Sequence, residues 1–325
     1  MTVPLAPRTA PRLPFGLPPL GIGTAPLGGL FEEVTEQEAA ATLQAAASAG
    51  ITYFDTAPRY GHGQAEDRLG RLLEPAGITQ PVISTKTGWL LRPKADGSGT
   101  DVVPDWTERG IRDSLESSLE RLGRSFVDIL YLHDADAFAD EVRATAYETV
   151  RRLRDEGLVK AIGFGMNHSA PLAAYVAAYE VDVVLIAGRF SLLDHDAMGT
   201  LLPLCAKNGT AVVVGGVFNT GLLADPSSDA MFNYRPVPAE TLDRARKCQA
   251  VCEEFGVPLP AAAVQFPFLH PAVTSVVLGC RSAAEVTANA EAARLPLPDE
   301  LWHRLAEEGF VPPELAESLG ERAGG

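Results

Sequence analysis

A carboxylate and a phenol follow one apolar segment of this chain and lie five positions apart. Asp55 lies near the end of the segment 51–56, which reads as a β-strand, and Tyr60 follows it. A phenol exchanges protons poorly near neutral pH unless a cation and a carboxylate lie nearby. The pair therefore predicts tuned acid–base chemistry at the end of this strand.

The next two strand-like segments also end in residues that can do chemistry, Lys86 and His133. A lysine that closes an apolar strand is seldom buried without a partner, and Asp55 is the obvious candidate. Each residue alone also has a structural explanation: Asp55 as a loop cap, Tyr60 as a surface residue and His133 as a satisfied core histidine. Their convergence is what favours a site.

Short segments rich in Val and Ile alternate with longer segments of helical period along nearly the whole chain. Strands are predicted at 20–24, 51–56, 82–86, 127–133, 159–164, 181–186, 211–215 and 274–279. Helices are predicted at 36–47, 65–73, 107–122, 140–156, 170–179, 197–207, 239–255 and 283–293. The alternation predicts a repeated βα unit.

Eight βα units favour a closed (β/α)8 TIM barrel, an α/β fold, over an open doubly wound sheet. The first βα turn, 21–28, also lacks the glycine fingerprint of a dinucleotide-binding open sheet. We expect one domain spanning residues 1–325, with residues 1–15 as a flexible N-terminal extension. In such a barrel the active site lies at the C-terminal ends of the strands, where all four candidate residues would meet.

The composition excludes several classes of function. The chain has 27 basic and 42 acidic residues, a formal net charge of −15, so nucleic acid and anionic membrane surfaces are poor partners. The four cysteines have no zinc-like spacing, the six histidines are dispersed, and we expect no metal site. The segment 1–19 lacks the uninterrupted apolar run of a signal peptide, and we expect a cytoplasmic protein without a membrane span.

These residues and their surroundings resemble the aldo-keto reductase superfamily over roughly residues 16–295. The resemblance rests on Asp55, Tyr60, Lys86 and His133, together with Gly-Ile-Gly-Thr at 21–24 and Ile-Gly-Phe-Gly at 162–165. The segments 131–134, 187–194 and 217–223 resemble the branch that contains D-threo-aldose 1-dehydrogenases, L-fucose dehydrogenases and pyridoxal 4-dehydrogenases.

The resemblance implies a catalytic role for each of the four residues. Tyr60 would be the general acid in carbonyl reduction and the base in alcohol oxidation, and Lys86 would lower its pKa. Asp55 would hold Lys86 in place. His133 would donate a hydrogen bond that orients the substrate oxygen.

The resemblance also implies a nicotinamide cofactor that lies across the barrel mouth without a Rossmann domain. The glycine-rich loop 215–222 could offer backbone N–H groups to its pyrophosphate, although the same composition suits a mobile loop. The helix after strand eight would hold the adenosine phosphate at its N-terminus. The expected cofactor-binding residues are Gly23, Thr24, Asp55, Asn167, Gly216, Val217, Phe218, Asn219, Gly221, Leu222, Gly279, Arg281, Ser282, Glu285 and Asn289.

Glu285 bears on the choice between NAD and NADP, because it stands where phosphate-binding relatives often carry arginine. A carboxylate there would repel a 2′-phosphate, which favours NAD. Two observations leave NADP open. Ser282 and Glu285 also match a helix capping box, and Arg281 could still meet a phosphate.

The substrate pocket should be formed by loops at the barrel mouth. Its candidate residues are Pro26, Arg59, His62, Trp89, Asp134 and Arg189. Trp89 could stack on a sugar face or an aromatic ring, or could pack beneath the long loop 90–105. That loop is either a mobile lid or an insertion.

We therefore expect an NAD(P)-dependent oxidoreductase that acts on the anomeric hydroxyl of an aldose or on a pyridoxal-like alcohol or aldehyde. Two alternatives remain open. One is a general NADPH-dependent aldehyde or ketone reductase, and the other is a non-enzymatic, nicotinamide-binding regulatory subunit.

Overall fold

A closed barrel of eight parallel strands forms the centre of the protein. The computed structural model describes residues 6–30 and 32–322. Its strands are Leu20–Gly23 (β1), Tyr53–Asp55 (β2), Val82–Thr87 (β3), Trp89–Pro93 (β4), Thr100–Pro104 (β5), Val127–His133 (β6), Val159–Met166 (β7), Val183–Ala187 (β8), Ala211–Gly215 (β9), Met231–Phe232 (β10), Arg235–Pro236 (β11) and Val273–Gly279 (β12). The barrel order is β1, β2, β3, β6, β7, β8, β9 and β12, and β12 pairs with β1 to close it. The predicted (β/α)8 fold is confirmed.

Helices cover the outside of the barrel. They are Glu36–Ser48, Gln64–Leu72, Glu108–Leu122, Ala139–Glu141, Tyr147–Asp155, Ser169–Ala178, Leu201–Asn208, Ala239–Glu254, Leu259–Gln265, Ala283–Arg294, Asp299–Glu307 and Pro313–Arg322. Short 3-10 turns occur at Pro26–Gly28, Ala135–Ala137, Asp196–Met198 and Phe266–Leu269, and Val142–Ala146 forms a π-helical turn. In the described part of the chain, none of the helices combines the length and apolar character that a membrane span needs.

Two hairpins that were not predicted from the sequence interrupt the βα alternation. Residues 90–105 are not a long loop, because β4 and β5 pair from Trp89 opposite Pro104 to Pro93 opposite Thr100. The second hairpin joins β10 and β11 through Asn233 and Tyr234, which both have positive φ. Both hairpins follow C-terminal ends of barrel strands, so they lie on the side of the predicted site.

The N-terminal segment closes the opposite end of the barrel. Residues 1–5 lie outside the described residues, but Arg8 pairs with Leu17, and Leu13 and Leu17 are buried among the interior residues of the barrel. The backbone N–H of Arg12 donates to Gly209 O at 3.0 Å. Residues 6–15, which we predicted as part of a flexible extension, therefore contact the barrel in this structure, because their apolar side chains have a core to pack against.

Two buried tyrosines fill the barrel interior, Tyr53 on β2 and Tyr131 on β6. Glycine is required where backbone or ring atoms already occupy the space. A Cβ at Gly21 would lie 2.4 Å from the Tyr53 ring, and a Cβ at Gly163 would lie 1.6 Å from the carbonyl oxygen of Val183.

Replacing Gly163 by alanine should therefore force β7 away from β8. We expect Gly163→Ala to lower the free energy of unfolding by about 3 kcal/mol, because the clash is with backbone and no side chain can rotate away. Gly165→Ala is the matched control on the same strand, since its Cβ would meet its nearest neighbour at an ordinary 3.6 Å. Urea unfolding of both variants checks the prediction, and equal stabilities would contradict it.

Candidate active site

A buried ion pair joins the second and third strands of the barrel. Lys86 Nζ lies 2.7 Å from Asp55 Oδ2 and donates a second hydrogen bond to Thr56 O at 2.8 Å. Both side chains are almost fully buried, with exposed fractions of 2% and 5%. The structure thus brings together the lysine and the carboxylate that the sequence predicted as partners.

The second carboxylate oxygen of Asp55 is also satisfied. Ser84 Oγ donates to Asp55 Oδ1 at 2.6 Å, and the hydroxyl of Tyr53 lies 3.0 Å from the same Ser84 Oγ. Ser84 pairs with Asp55 across the sheet and precedes Lys86 by two positions, so all three face the interior. Ser84 was not predicted as a site residue, although the period-two pattern of β3 places it on the same face as Lys86.

Tyr60 and His133 lie beside this pair at the barrel mouth. The ammonium of Lys86 is 4.7 Å from the centroid of the Tyr60 ring. The rings of Tyr60 and His133 meet edge to face, with centroids 6.1 Å apart. The four predicted residues therefore converge in one place, although they come from three strands and a loop.

The charges in this cluster shift the pKa values of its members. Burial alone would lower the pKa of Lys86, but the carboxylate of Asp55 and the phenol of Tyr60 outweigh it, and the pKa is raised. Burial raises the pKa of Tyr60, and the charge of Lys86 opposes this rise without cancelling it. We expected Lys86 to lower the pKa of Tyr60. Its contribution has that sign, but burial is the larger effect.

His133 is held in its neutral form near neutral pH. Burial lowers its pKa well below the ordinary value, and the positive charges of Lys86 and Arg59 lower it further. A neutral imidazole can donate one hydrogen bond without carrying a charge. The indole N–H of Trp89 donates to the backbone oxygen of His133 at 2.8 Å, which fixes the backbone at this point.

Three of the predicted substrate residues form one assembly beside His133. Arg59 Nη1 donates to Asp134 Oδ2 at 2.8 Å, and the guanidinium carbon of Arg59 lies 4.4 Å from the centroid of the Trp89 ring. Asp134 Oδ2 is 3.8 Å from His133 Nε2. Burial raises the pKa of Asp134, and the charge of Arg59 acts in the opposite direction. Trp89 also meets Phe138 edge to face, so it both packs and faces the site.

The other three predicted substrate residues are less central. His62 is exposed in the turn after Tyr60 and has a φ of 52°. Pro26 is buried in the 3-10 turn after β1. Arg189 Nη1 lies 3.2 Å from both Asp194 Oδ2 and Asn233 Oδ1, so it ties the loop after β8 to the second hairpin.

The second hairpin adds Tyr234, a residue that was not predicted from the sequence. Tyr234 is 61% exposed at its turn, and its backbone N–H donates to Thr220 Oγ1 at 3.3 Å. The pKa of Tyr234 is raised, in part by the charge of Asp134, and Tyr234 contributes to the raised pKa of Tyr60. Tyr234 therefore lies within electrostatic reach of both groups, at the edge of the mouth.

The glycine-rich loop after β9 has an unusual backbone. Gly216, Asn219, Thr220 and Gly221 all have positive φ, and a Cβ at Gly216 would lie 2.9 Å from Gly188 N. Asn219 is buried, and neither its amide nitrogen nor its amide oxygen has a hydrogen-bond partner among the residues that the structure describes. An unpaired buried amide costs roughly 1–3 kcal/mol, and the described residues supply no partner that would offset this cost at Asn219.

In the segment after β12, the guanidinium of Arg281 forms ion pairs with two glutamates. Arg281 Nε lies 2.8 Å from Glu285 Oε1, and its Nη1 lies 3.0 Å from Glu32 Oε1. Ser282 accepts from Glu285 N, as a capping residue should, but the Glu285 carboxylate accepts from Arg281 N instead of completing the box. Glu32, in the loop after β1, is a partner that the sequence analysis did not identify. Asn289, on the helix Ala283–Arg294, donates to Sγ of Cys280, which directly follows β12, at 3.3 Å.

The remaining predicted cofactor residues lie at the strand ends or in the loops that follow them. Gly23 ends β1, and Thr24 Oγ1 donates to Asp55 O at 3.1 Å. Asn167 is exposed directly after β7. Val217, Phe218 and Leu222 belong to the loop after β9, and Gly279 ends β12 close to Pro26.

Removing the charge of Asp55 should leave Lys86 buried without compensation. We expect Asp55→Asn to lower the free energy of unfolding by about 3 kcal/mol, because breaking one partner of a buried pair leaves the other charge desolvated. Thermal and urea unfolding measure this loss.

The same substitution at an exposed pair provides the control. Asp101 lies 3.9 Å from Lys94 with 58% of its side chain exposed. Asp101→Asn should change stability by less than about 0.5 kcal/mol. Equal effects at the two positions would show that burial does not determine the contribution of Asp55.

Comparison with known proteins gives close relatives over nearly the whole chain. A D-threo-aldose 1-dehydrogenase from Pseudomonas sp is 44% identical over 315 residues, which cover 92% of this chain and 96% of the relative. A pyridoxal 4-dehydrogenase from Microbacterium luteolum is 36% identical over 322 residues, which cover 90% of this chain and 94% of the relative.

The barrel also resembles solved structures. An aldo-keto reductase from Bacillus halodurans, in its holo form, superposes with a TM-score of 0.75 at 24% identity and covers 95% of this chain and 97% of that one. Residues 19–308 match the pattern of the family described as "Aldo/keto reductase family". The chain belongs to the aldo/keto reductase family, and it is an oxidoreductase.

Proposed function

We propose that this oxidoreductase transfers a hydride between a nicotinamide cofactor and the anomeric carbon of an aldose, or a pyridoxal-like alcohol or aldehyde. The observation that carries the proposal is the buried pair of Lys86 and Asp55, 2.7 Å apart, with Tyr60 and a neutral His133 beside it. The names of the two relatives, an aldose dehydrogenase and a pyridoxal dehydrogenase, support the substrate classes.

The loop after β9 fits a cofactor that carries phosphate oxygens and amide-like groups. Its positive-φ backbone at Gly216, Asn219, Thr220 and Gly221 is typical of loops that offer N–H groups to anions. The amide of Asn219, which has no partner among the described residues, supports the same assignment, because a bound group could supply one. Gly23, Thr24, Asn167 and Ser282 would contribute from the other strand ends.

When bound, the nicotinamide would accept or deliver the hydride, and the protein would handle the proton. Tyr60 gives its phenolic proton to the substrate oxygen in reduction and takes one in oxidation. The positive charge of Lys86 favours the phenolate that this exchange creates. Asp55 keeps Lys86 charged in a buried place, and Ser84 holds the Asp55 carboxylate in position.

His133 has a separate task in this proposal. A neutral imidazole donates a hydrogen bond to the substrate oxygen and orients it without competing with Tyr60 for the proton. An imidazolium would bring a second positive charge next to Lys86, which the burial and the neighbouring charges disfavour.

The two ion pairs of Arg281 favour NAD as the cofactor. A 2′-phosphate would need a free cation, but the two acidic side chains of Glu285 and Glu32 bind this guanidinium. Those carboxylates would repel a phosphate and could accept hydrogen bonds from ribose hydroxyls.

Two other functions make different predictions in the same assay. A general reductase would use NADPH and would show no preference for sugars. A regulatory subunit would bind nicotinamide without turnover, and a probable voltage-gated potassium channel subunit beta from rice is 27% identical over 280 residues. The assembled site around Tyr60 favours an enzyme.

Exchange of the Tyr60 phenol for a ring without a hydroxyl tests the mechanism. We expect Tyr60→Phe to lower kcat by about a thousandfold, within the usual range for loss of a general acid or base. The measurement is the absorbance of reduced nicotinamide with L-fucose, D-arabinose, L-galactose, pyridoxal and simple alcohols, each with NAD and with NADP.

Cofactor affinity serves as the control, because Tyr60→Phe should leave NADH binding unchanged. Full activity in this variant would contradict the mechanism. Cofactor binding by the unmodified protein without turnover of any substrate would contradict the proposed function and favour a regulatory role.

Neutralising the two partners of Arg281 should alter the cofactor preference. We expect the wild-type protein to prefer NAD, and Glu32→Gln with Glu285→Gln to reduce that preference by about tenfold, because Arg281 becomes available to a 2′-phosphate. Steady-state kinetics with both cofactors measures the ratio. Glu291→Gln, an exposed change on the same helix, is the control, and a ratio that moves equally in both proteins would argue against the assignment.

A further inference from the structure

The mouth of the barrel carries a guanidinium and a carboxylate directly beside His133. Arg59 comes from the loop after β2 and Asp134 follows β6, and their 2.8 Å hydrogen bond joins the two loops. Each side chain is 36% exposed, so the pair is neither buried in the core nor fully hydrated. The mechanism proposed above uses neither residue.

Several contacts hold this pair in a fixed position. The Arg59 guanidinium stacks on the Trp89 ring, and the Trp89 indole donates to the backbone of His133. The backbone N–H of Asp134 donates to Gly165 O at 2.9 Å, and its φ of 50° turns the chain sharply after the strand. The carboxylate is therefore positioned relative to the imidazole by both backbone and side-chain contacts.

The distance between the two groups matches a substrate with neighbouring oxygens. Asp134 Oδ2 lies 3.8 Å from His133 Nε2, the atom that would donate to the reacting oxygen. A hydroxyl on the adjacent carbon of the substrate would then fall near the Asp134 carboxylate. An ionised carboxylate accepts several hydrogen bonds, and Arg59 takes only part of that capacity.

We propose that Asp134 accepts a hydrogen bond from the hydroxyl on the carbon next to the reacting carbon. The site then selects 2-hydroxyaldehydes and the corresponding aldoses over their 2-deoxy counterparts. Arg59 is a positioning residue that holds the carboxylate ionised and in place. This inference rests on the proposed function, and it adds which substrate group is recognised and by which atom.

The test compares substrates that differ only in the 2-hydroxyl. The pairs are L-fucose with 2-deoxy-L-fucose in oxidation, and lactaldehyde with propionaldehyde in reduction. We expect kcat/KM to be roughly 10- to 100-fold higher for the hydroxylated member, the effect of one hydrogen bond to a charged group. In Asp134→Asn, the two kcat/KM values of each pair should differ by less than about threefold, because only the value for the hydroxylated substrate falls.

Asparagine is the appropriate replacement because it tolerates the left-handed backbone at this position, so the fold is preserved. The substitution removes the carboxylate charge, and Arg59 already binds the oxygen nearest His133, so the hydrogen bond to the substrate hydroxyl loses its charge assistance. Asp136→Asn is the matched control, since it removes a neighbouring charge that pairs with His168 and not with Arg59. It should leave the ratio unchanged.

A measurement on the unmodified protein makes the test independent of any variant. If Asp134 binds the neighbouring hydroxyl, the inhibition constant of 1,2-propanediol against the aldose should be about tenfold lower than that of 1-propanol. Equal inhibition, or a substrate ratio that Asp134→Asn leaves intact, overturns this inference while the oxidoreductase activity stands. Absence of any turnover in a protein that binds NADH overturns the proposed function and this inference with it.

Discussion

The site depends on one interaction, the burial of a lysine charge inside the barrel. Lys86 is stable there only because Asp55 and the carbonyl of Thr56 replace its hydration, and Asp55 in turn needs Ser84 for its second oxygen. These groups come from neighbouring strands in fixed register, so the closed barrel is what keeps the charge compensated. The raised pKa of Tyr60 and the lowered pKa of His133 both follow from placing polar rings in the same desolvated space.

Much of the barrel could be predicted because its signals are local. A parallel strand buried on both faces reads as a run of Val and Ile, and the residues that end each run must meet at one mouth. All eight barrel strands could be predicted from such runs, and so could the convergence of Asp55, Lys86 and His133. The helices Asp299–Glu307 and Pro313–Arg322 were not predicted. They follow the last βα repeat, so they lie outside the alternating pattern of strands and helices.

The missed features depend on contacts between distant parts of the chain. Glu32 lies in an irregular loop, and only the fold brings it to Arg281. Tyr234 belongs to a two-residue turn whose position over the mouth depends on Arg189 and Thr220. The pKa of Tyr60 shows the same limit in energetic terms, because the contribution of a neighbouring cation can be inferred from sequence whereas the larger effect of burial requires the packed structure.

The plug formed by Leu13 and Leu17 affects how protons can travel in the proposed reaction. The interior between this plug and Lys86 is filled by buried side chains such as Tyr53 and Tyr131. A proton exchanged at Tyr60 therefore has its route to bulk water through the mouth, over the surface that a bound substrate would cover. Because this end of the barrel is closed, the substrate and the protons that exchange with solvent must both pass through the mouth.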